Sequence, residues 1–293
     1  MTITALGYMV IESSVPEDWQ HLLVDVMGLS IRESEGDVDH YRLDDWQQRL
    51  TIIEGTQDRI AAVGWQTRDL KSLLELANSL KHAGVDVTQG TSANCQARAC
   101  GHLILFEDPI SKIPTEIFCD PLIANLPFSA GANLSGYETG DLGLGHVVYF
   151  VDDYQAGHDF YTDLLGFHTS DRIVWDNGEK DATFYHCNAR HHSLAIMPPF
   201  GEIPPGTFNH LMLQARSVDD VGIMYDRIRA ENRPLIMNLG KHTNDHTESF
   251  YFVTPSGFGL EIGCNSRTIT AGWHAKTYDA PMIWGHEAPG TYS

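Results

Sequence analysis

Basic residues are scarce in this chain: 19 lysines and arginines stand against 39 aspartates and glutamates, a formal net charge of −20 over 293 residues. Nucleic acid or an anionic membrane surface needs a basic face, so neither is expected as a partner. No apolar run approaches the roughly 18 uninterrupted residues of a membrane helix. The opening Met1-Thr2-Ile3-Thr4-Ala5 has neither the basic segment nor the apolar core of a secretion signal. Cysteine is sparse and odd in number, and Cys95, Cys100, Cys119, Cys187 and Cys264 form no CxxC pair. Neither a disulfide framework nor a thiolate zinc site is expected, and the cytoplasm is the expected compartment. Most of these thiols should be small buried hydrophobes.

What is present is apolar mass arranged as a repeat. Apolar residues make up 42% of the chain, enough for two cores, and this length suits two domains. Leu6-Gly7-Tyr8-Met9-Val10-Ile11, followed by a helical pattern ending at Met27-Gly28-Leu29, recurs as Leu144-Gly145-His146-Val147-Val148-Tyr149 running to Leu165-Gly166-Phe167. The spacing from Tyr8 to His146 equals that from Leu29 to Phe167. Ala62 to Gln66 lines up with His210 to Gln214, and Thr115-Glu116-Ile117 with Leu260-Glu261-Ile262.

At these three matched places the first half carries Tyr8, Ala62 and Glu116, and the second His146, His210 and Glu261. Two histidines and a carboxylate on separate strands make the facial triad that suits non-haem Fe(II), with positions left open for substrate and oxygen. A lone histidine at the start of a strand is more often a hydrogen-bonded structural residue than a ligand. Here chance would have to place two of them at repeat-equivalent positions beside a glutamate. Glu116 lacks histidine partners, so its expected role is structural.

Each half reads as strand, amphipathic helix, strands, then a second helix and further strands. The first has helical spacing through Trp19, Leu22, Leu23, Val26 and Met27, and again over Asp69 to His82 before Gly84. The second has it through Ala156, Phe160, Tyr161, Leu164 and Leu165, and through Val218, Val221, Met224, Tyr225 and Ile228. Strands are expected near Tyr8 to Ile11, Leu50 to Ile53, Ile60 to Trp65, Leu103 to Phe106 and Glu116 to Phe118. Their counterparts are His146 to Val151, Thr183 to Cys187, Ser193 to Met197, Asn209 to Ala215, Ser249 to Val253 and Gly259 to Ile262. The turn-rich segment from Asp120 to Gly143 marks the boundary, giving domains over residues 1–130 and 131–293. The tail after Ser266 is aromatic and irregular, and is expected to pack over the second domain.

The second half carries further chemistry-bearing residues. Arg190-His191-His192-Ser193-Leu194-Ala195 sets two histidines before an apolar strand, and Lys241-His242-Thr243-Asn244-Asp245-His246 precedes Ser249-Phe250-Tyr251. With Gly143-Leu144-Gly145-His146, Asn209-His210-Leu211-Met212-Leu213 and Glu261, these stretches resemble the type I extradiol catechol dioxygenases of the vicinal oxygen chelate superfamily. Within these the chain is most similar to the 2,3-dihydroxybiphenyl and 1,2-dihydroxynaphthalene ring-cleaving enzymes. The resemblance spans essentially the whole chain. It implies an α+β fold of two tandem domains, each of two βαβββ modules forming a partly open barrel, and extradiol cleavage of an aryl-substituted or fused-ring catechol by O2. A steroid-derived catechol or a small alkylcatechol is the alternative substrate.

By residue, the resemblance implies that His146, His210 and Glu261 hold Fe(II), with Mn(II) the less expected ion. His192, directly before Ser193-Leu194-Ala195, matches the acid/base histidine, and His242 and Tyr251 match the residues that hydrogen-bond substrate oxygens. Val148, Phe184, Phe200, Asn244, Asp245, Pro281 and Met282 are expected around the substrate. Val148 is two positions beyond His146 on a strand and so faces the same side. The proline-rich loop from Met197 to Asn209 departs from the family pattern, and bears on substrate preference. A homo-oligomer is expected from the same resemblance.

His191 is expected outside the metal's coordination, and His158, His168 and His186 as ordinary helix or strand residues. Asp152-Asp153 and Asp219-Asp220 read as helix N-terminal charges. Two rival functions use the same modules. Glyoxalases and fosfomycin-resistance proteins are usually far shorter and lack the set His192, His242 and Tyr251. A bleomycin-sequestering binding protein needs no triad at all.

Overall fold

The computed structural model describes residues 3–32, 36–199, 203–204 and 206–289. The described residues form two sheets, each from one half of the chain. The first has eight strands, with Ile3–Ser13 and Arg59–Thr67 antiparallel at its centre. Leu50–Glu54 and Pro114–Pro121 flank them in parallel. The second has ten strands, centred on His146–Phe150 and Phe208–Gln214. Here Leu194–Met197 and Gly259–Cys264 flank in parallel. In both sheets a strand, a helix and three strands form one module, and a second such module follows.

The repeat persists to the level of register. In the first sheet Tyr8 pairs with Gly64 and Gly64 with Glu116. In the second His146 pairs with Met212 and Met212 with Glu261. Ala62 and His210 each precede the central partner by two residues, so the sequence alignment of the halves is also their alignment in space. The fold is of mixed α and β structure, and one of its two sheets is a curled half-barrel.

Period-2 alternation sends the two faces of the second sheet to different duties. Val147, Tyr149, Leu211, Leu213, Leu260 and Ile262 belong to the buried core between sheet and helices. His146, Val148, His210 and Glu261 alternate with them. On Glu248–Val253, Phe250 packs edge-on to Tyr225 of helix Val218–Ala230, with centroids 5.1 Å apart. Tyr251 therefore turns toward the half-barrel.

The helices follow the expected spacing, with local differences. Leu70–His82 starts at the side-chain cap of Asp69, and Val218–Ala230 at that of Ser217, with Asp219 and Asp220 in its first turn. The first helix of each half, Pro16–Gln20 and Tyr154–Asp159, widens into a π-helical turn at His21–Val26 and Phe160–Leu164. Several elements have no clear sequence signal: the helix Ser92–Arg98 and the strands His168–Trp175 and Leu235–His242. The tail is more ordered than expected. Thr277–Tyr278 pairs with His168–Trp175, and Met282–Gly285 with Leu235–His242, so the tail extends both edges of the sheet. All five cysteines are free thiols, and four are buried. No helix among the described residues is long and apolar enough to cross a membrane.

Candidate metal centre

The approach to His146 explains the Gly-Leu-Gly motif before it. Gly143 has φ +73°, and a Cβ on Gly145 would lie 1.8 Å from the Met212 carbonyl oxygen. Only glycine lets the chain pass this close to the neighbouring strand, so the motif sets where the strand begins. Arg190 performs a similar service for the next motif. Its buried guanidinium donates to Gln214 Oε1 (2.6 Å) and to the carbonyls of Leu142 and Glu138, fixing the turn that carries His191 and His192.

Three donor atoms converge from three neighbouring strands. His146 Nε2 lies 3.3 Å from His210 Nε2 and 3.2 Å from Glu261 Oε2. His210 Nε2 lies 3.4 Å from the same oxygen. Glu261 is 1% exposed, and neither of its carboxylate oxygens accepts a hydrogen bond, although Oε1 also lies 3.5 Å from His242 Nε2 in an ion pair. A buried carboxylate without a donor is costly, so this geometry suits a cation better than it suits the protein alone. Donor atoms on one face of an octahedral metal at about 2.1–2.2 Å are about 3 Å apart, close to the triangle seen here. The donor set of two imidazole nitrogens and one carboxylate fits Fe(II) or Mn(II).

The first half fills the corresponding place with its own side chains. Tyr8 donates to Glu116 Oε2 at 2.5 Å, and Arg98 grips the carboxylate through Nε (2.8 Å) and Nη2 (3.0 Å). A guanidinium supplies the positive charge there, and Glu116 has the structural role expected of it.

Around the second-half triad lie the other expected residues. His192 stacks against His146 with ring centroids 4.0 Å apart, and Phe184 meets it edge-on at 4.8 Å. Burial, joined by His146 and His191, holds His192 well below the usual histidine range. Tyr251 and His242 share a 2.7 Å hydrogen bond, and His242 Nδ1 donates to the Pro281 carbonyl at 3.0 Å. Burial disfavours the His242 cation, but Glu261 outweighs it and raises the group to about 9. A divalent cation on Glu261 would cancel much of that pull. His242 closes the strand Leu235–His242.

These groups line a cavity of ≈ 340 Å³, within the range of small-molecule sites. Val148, Phe184, Asn244, Asp245, Pro281 and Met282 all border it, while Phe200 lies outside the described residues. Ile173, Ala182, Ile236 and Met237, not expected from the sequence, border it as well. Ile173 sits on the strand His168–Trp175, opposite Ala182 in register. Hydrophobic periodicity marks core faces, and these residues face a hollow, so the only available signal was the strand alternation through Phe184.

Residues 143–262 match the Glyoxalase/Bleomycin resistance protein/Dioxygenase superfamily, and residues 6–55 match the first domain described as Dihydroxybiphenyl dioxygenase BphC D1. The chain is 38% identical to the biphenyl-2,3-diol 1,2-dioxygenase of Paraburkholderia xenovorans, covering 98% of this chain and 96% of that one. It is 36% identical to an iron-dependent extradiol dioxygenase of Rhodococcus jostii, with 98% of both chains covered. Among solved structures, a halotolerant catechol dioxygenase superposes with a TM-score of 0.92 at 32% identity, over 98% of this chain and 95% of that one.

Proposed function

Because this chain belongs to the type I extradiol catechol dioxygenases of the vicinal oxygen chelate superfamily, we propose that it opens the ring of an aryl-substituted catechol such as 2,3-dihydroxybiphenyl. The break falls between the substituted carbon and its hydroxylated neighbour, O2 is the co-substrate, and His146, His210 and Glu261 hold Fe(II). The buried Glu261 carboxylate, which accepts no hydrogen bond and stands against His146 and His210, two histidines that border an apolar cavity, carries this reading. The donor set accepts Mn(II) as well; the similarity to a relative named iron-dependent favours Fe(II).

When bound, Fe(II) supplies a Lewis acid that favours the deprotonated diol and a path for electrons between diol and O2. The protein's own groups do the rest. His192 is buried beside the triad and stays neutral at pH 7, so it is ready to take a proton from the substrate hydroxyl. Tyr251 remains a phenol, since burial and Glu261 raise it well above its ordinary value. Its hydroxyl, held by His242, is a fixed hydrogen-bonding group in the same cavity as His192. Val148, Phe184, Met237 and Met282 exclude water and clamp the ring system.

The test is to load the protein with Fe(II) without oxygen, add 2,3-dihydroxybiphenyl, and admit air. A yellow ring-opened hydroxy-keto-dienoate is the expected product. No colour with any catechol from a protein holding stoichiometric iron would overturn the assignment. The same reading places the enzyme in the cytoplasm as a homo-oligomer. Ile283 and Trp284, each about half exposed on the edge strand Met282–Gly285, support association; sedimentation of the full chain checks it.

A further inference from the structure

Behind His192 lies a second set of buried groups that the metal chemistry does not use. Asp171 is fully buried on the strand His168–Trp175, and its Oδ2 lies 2.9 Å from His191 Nε2. His191, 1% exposed, turns its other ring nitrogen toward His192, with the two Nδ1 atoms 3.1 Å apart. The tail closes over this chain of contacts. The Lys276 backbone N–H donates to Asp171 Oδ1 at 2.7 Å, Trp273 packs edge-on against His191 with centroids 5.3 Å apart, and Trp273 Nε1 donates to the Ser170 carbonyl at 2.8 Å.

A carboxylate only accepts, so His191 Nε2 must donate to Asp171. When His191 carries a single ring proton, that proton is on Nε2 and its Nδ1 is an acceptor. His192 Nδ1 must then be the donor in the bond between the two rings. Asp245 Oδ2 stands 3.9 Å from the same His192 nitrogen, too far for a hydrogen bond but of the right charge to favour a proton there. Every contact therefore reads in one direction. His192 borders the cavity, and its Nε2 is left with the lone pair.

We propose that Asp171 and His191 are positioning residues that fix His192 in the tautomer with its proton on Nδ1, so that Nε2 meets the substrate as a proton acceptor. A catechol O–H then gives its proton to His192 Nε2, and the oxygen keeps the electron pair. The resulting positive ring is already connected through His191 to a buried negative charge. By distance alone, His191, His192 and Asp245 could also surround a cation, but the lone pair of His191 Nδ1 is already engaged by His192.

The environment makes Asp171→Asn an informative change. The Lys276 N–H needs an acceptor at the Oδ1 position, so the asparagine must keep its oxygen there and turn its NH2 toward His191. That donor reverses the chain: His191 Nε2 becomes the acceptor, His191 Nδ1 the donor, and His192 is forced to carry its proton on Nε2. Shape and hydrogen-bond count are preserved while the base becomes a donor.

The proposal builds on the ring-cleaving role of His192, yet its main readout does not depend on turnover. In Zn(II)-loaded protein labelled with 15N-histidine, the His192 resonances are identified by their loss in His192→Gln. We expect the proton on Nδ1 in the wild type and on Nε2 in Asp171→Asn. In the Fe(II)-loaded enzyme, kcat of Asp171→Asn should fall roughly 10²–10⁴-fold with little change in catechol affinity. A wild-type His192 protonated on Nε2 overturns the proposal, and this measurement stands even if the variant does not fold. An unmoved tautomer in Asp171→Asn, or a second bound metal per chain at His191, His192 and Asp245, overturns it too. A protein with the expected tautomer that cleaves no catechol would sink the enzymatic reading and leave this one in place.

Discussion

The Tyr8 hydroxyl donates to Glu116 Oε2 across 2.5 Å, at the strand register that in the second sheet sets His146 against Glu261. One half of the molecule solves the problem of a buried carboxylate with a phenol and the Arg98 guanidinium. The other leaves its carboxylate without a donor, among histidines.

Metal should accordingly bind only in the second half. We expect about one iron per chain, abolished in His210→Ala and unaltered in Glu116→Gln. The latter should instead cost roughly 1–3 kcal/mol of stability, because Arg98 loses its charge partner while half its hydrogen bonding survives. Iron analysis and urea titration of both variants test this. Two tightly held irons per chain, or iron retained in His210→Ala, would refute it.

His192→Gln should retain its iron and bind catechol, yet lose roughly 10²–10⁴-fold in turnover. Metal content by emission spectroscopy and anaerobic catechol titration separate the two effects. Loss of iron in this variant would make His192 a ligand.

Two-ring substrates should be preferred over one-ring ones. Ala182 lies two residues from Phe184 on the same strand, about 6–7 Å along it, and opposite Ile173. Burying a second ring there is worth roughly 1.5–3 kcal/mol, about tenfold to over a hundredfold in kcat/KM. The comparison covers 2,3-dihydroxybiphenyl, 1,2-dihydroxynaphthalene, 3-methylcatechol and catechol. Ala182→Phe should remove most of the preference by filling the far end. If catechol or 3-methylcatechol matches both two-ring compounds in the unaltered enzyme, the cavity does not select as described.

Stability should decline in mild acid through His186. Burial, with His168 and His191 nearby, lowers this group to about 4, against an ordinary value of 6.5. It shares a 3.0 Å hydrogen bond with Ser170 Oγ. With the folded value depressed, the unfolded chain takes up the proton first. The contribution is complete above pH 6.5 and is lost as pH falls from 6.5 toward 4. Near pH 5 the loss is about 1 kcal/mol once solvent screening of a partly accessible ring is allowed for. Urea midpoints at pH 7 and pH 5 should therefore differ less in His186→Gln than in the unaltered protein. An equal pH dependence in both would remove His186 from the account.

Much of the centre was legible because duplication supplies its own control. Tyr8, Ala62 and Glu116 against His146, His210 and Glu261 is a comparison made within one chain, and the registers Tyr8–Gly64–Glu116 and His146–Met212–Glu261 give it a spatial meaning. The helices Leu70–His82 and Val218–Ala230 were equally legible, since a capping side chain and an apolar stripe are local signals. The strand His168–Trp175 was not. One face of it mixes Asp171 with Ile173 and Trp175, opposite Phe184, Ala182 and Lys180, so no apolar period marks it.

What the sequence by itself carried is therefore the contrast of Tyr8, Ala62 and Glu116 with His146, His210 and Glu261, which comes from duplication, and the alternation that sets Val148 on the side of His146, which comes from local periodicity. Tertiary structure alone decided which distant groups meet. Asp171 reaches His191 because two strands and a turn fold together. Lys276 and Trp273 seal that contact from the tail, and Met282–Gly285 adds an edge strand beside His242. Hydrogen bonds between residues far apart in the chain leave no periodic trace along it, because their geometry exists only once the half-barrel has closed.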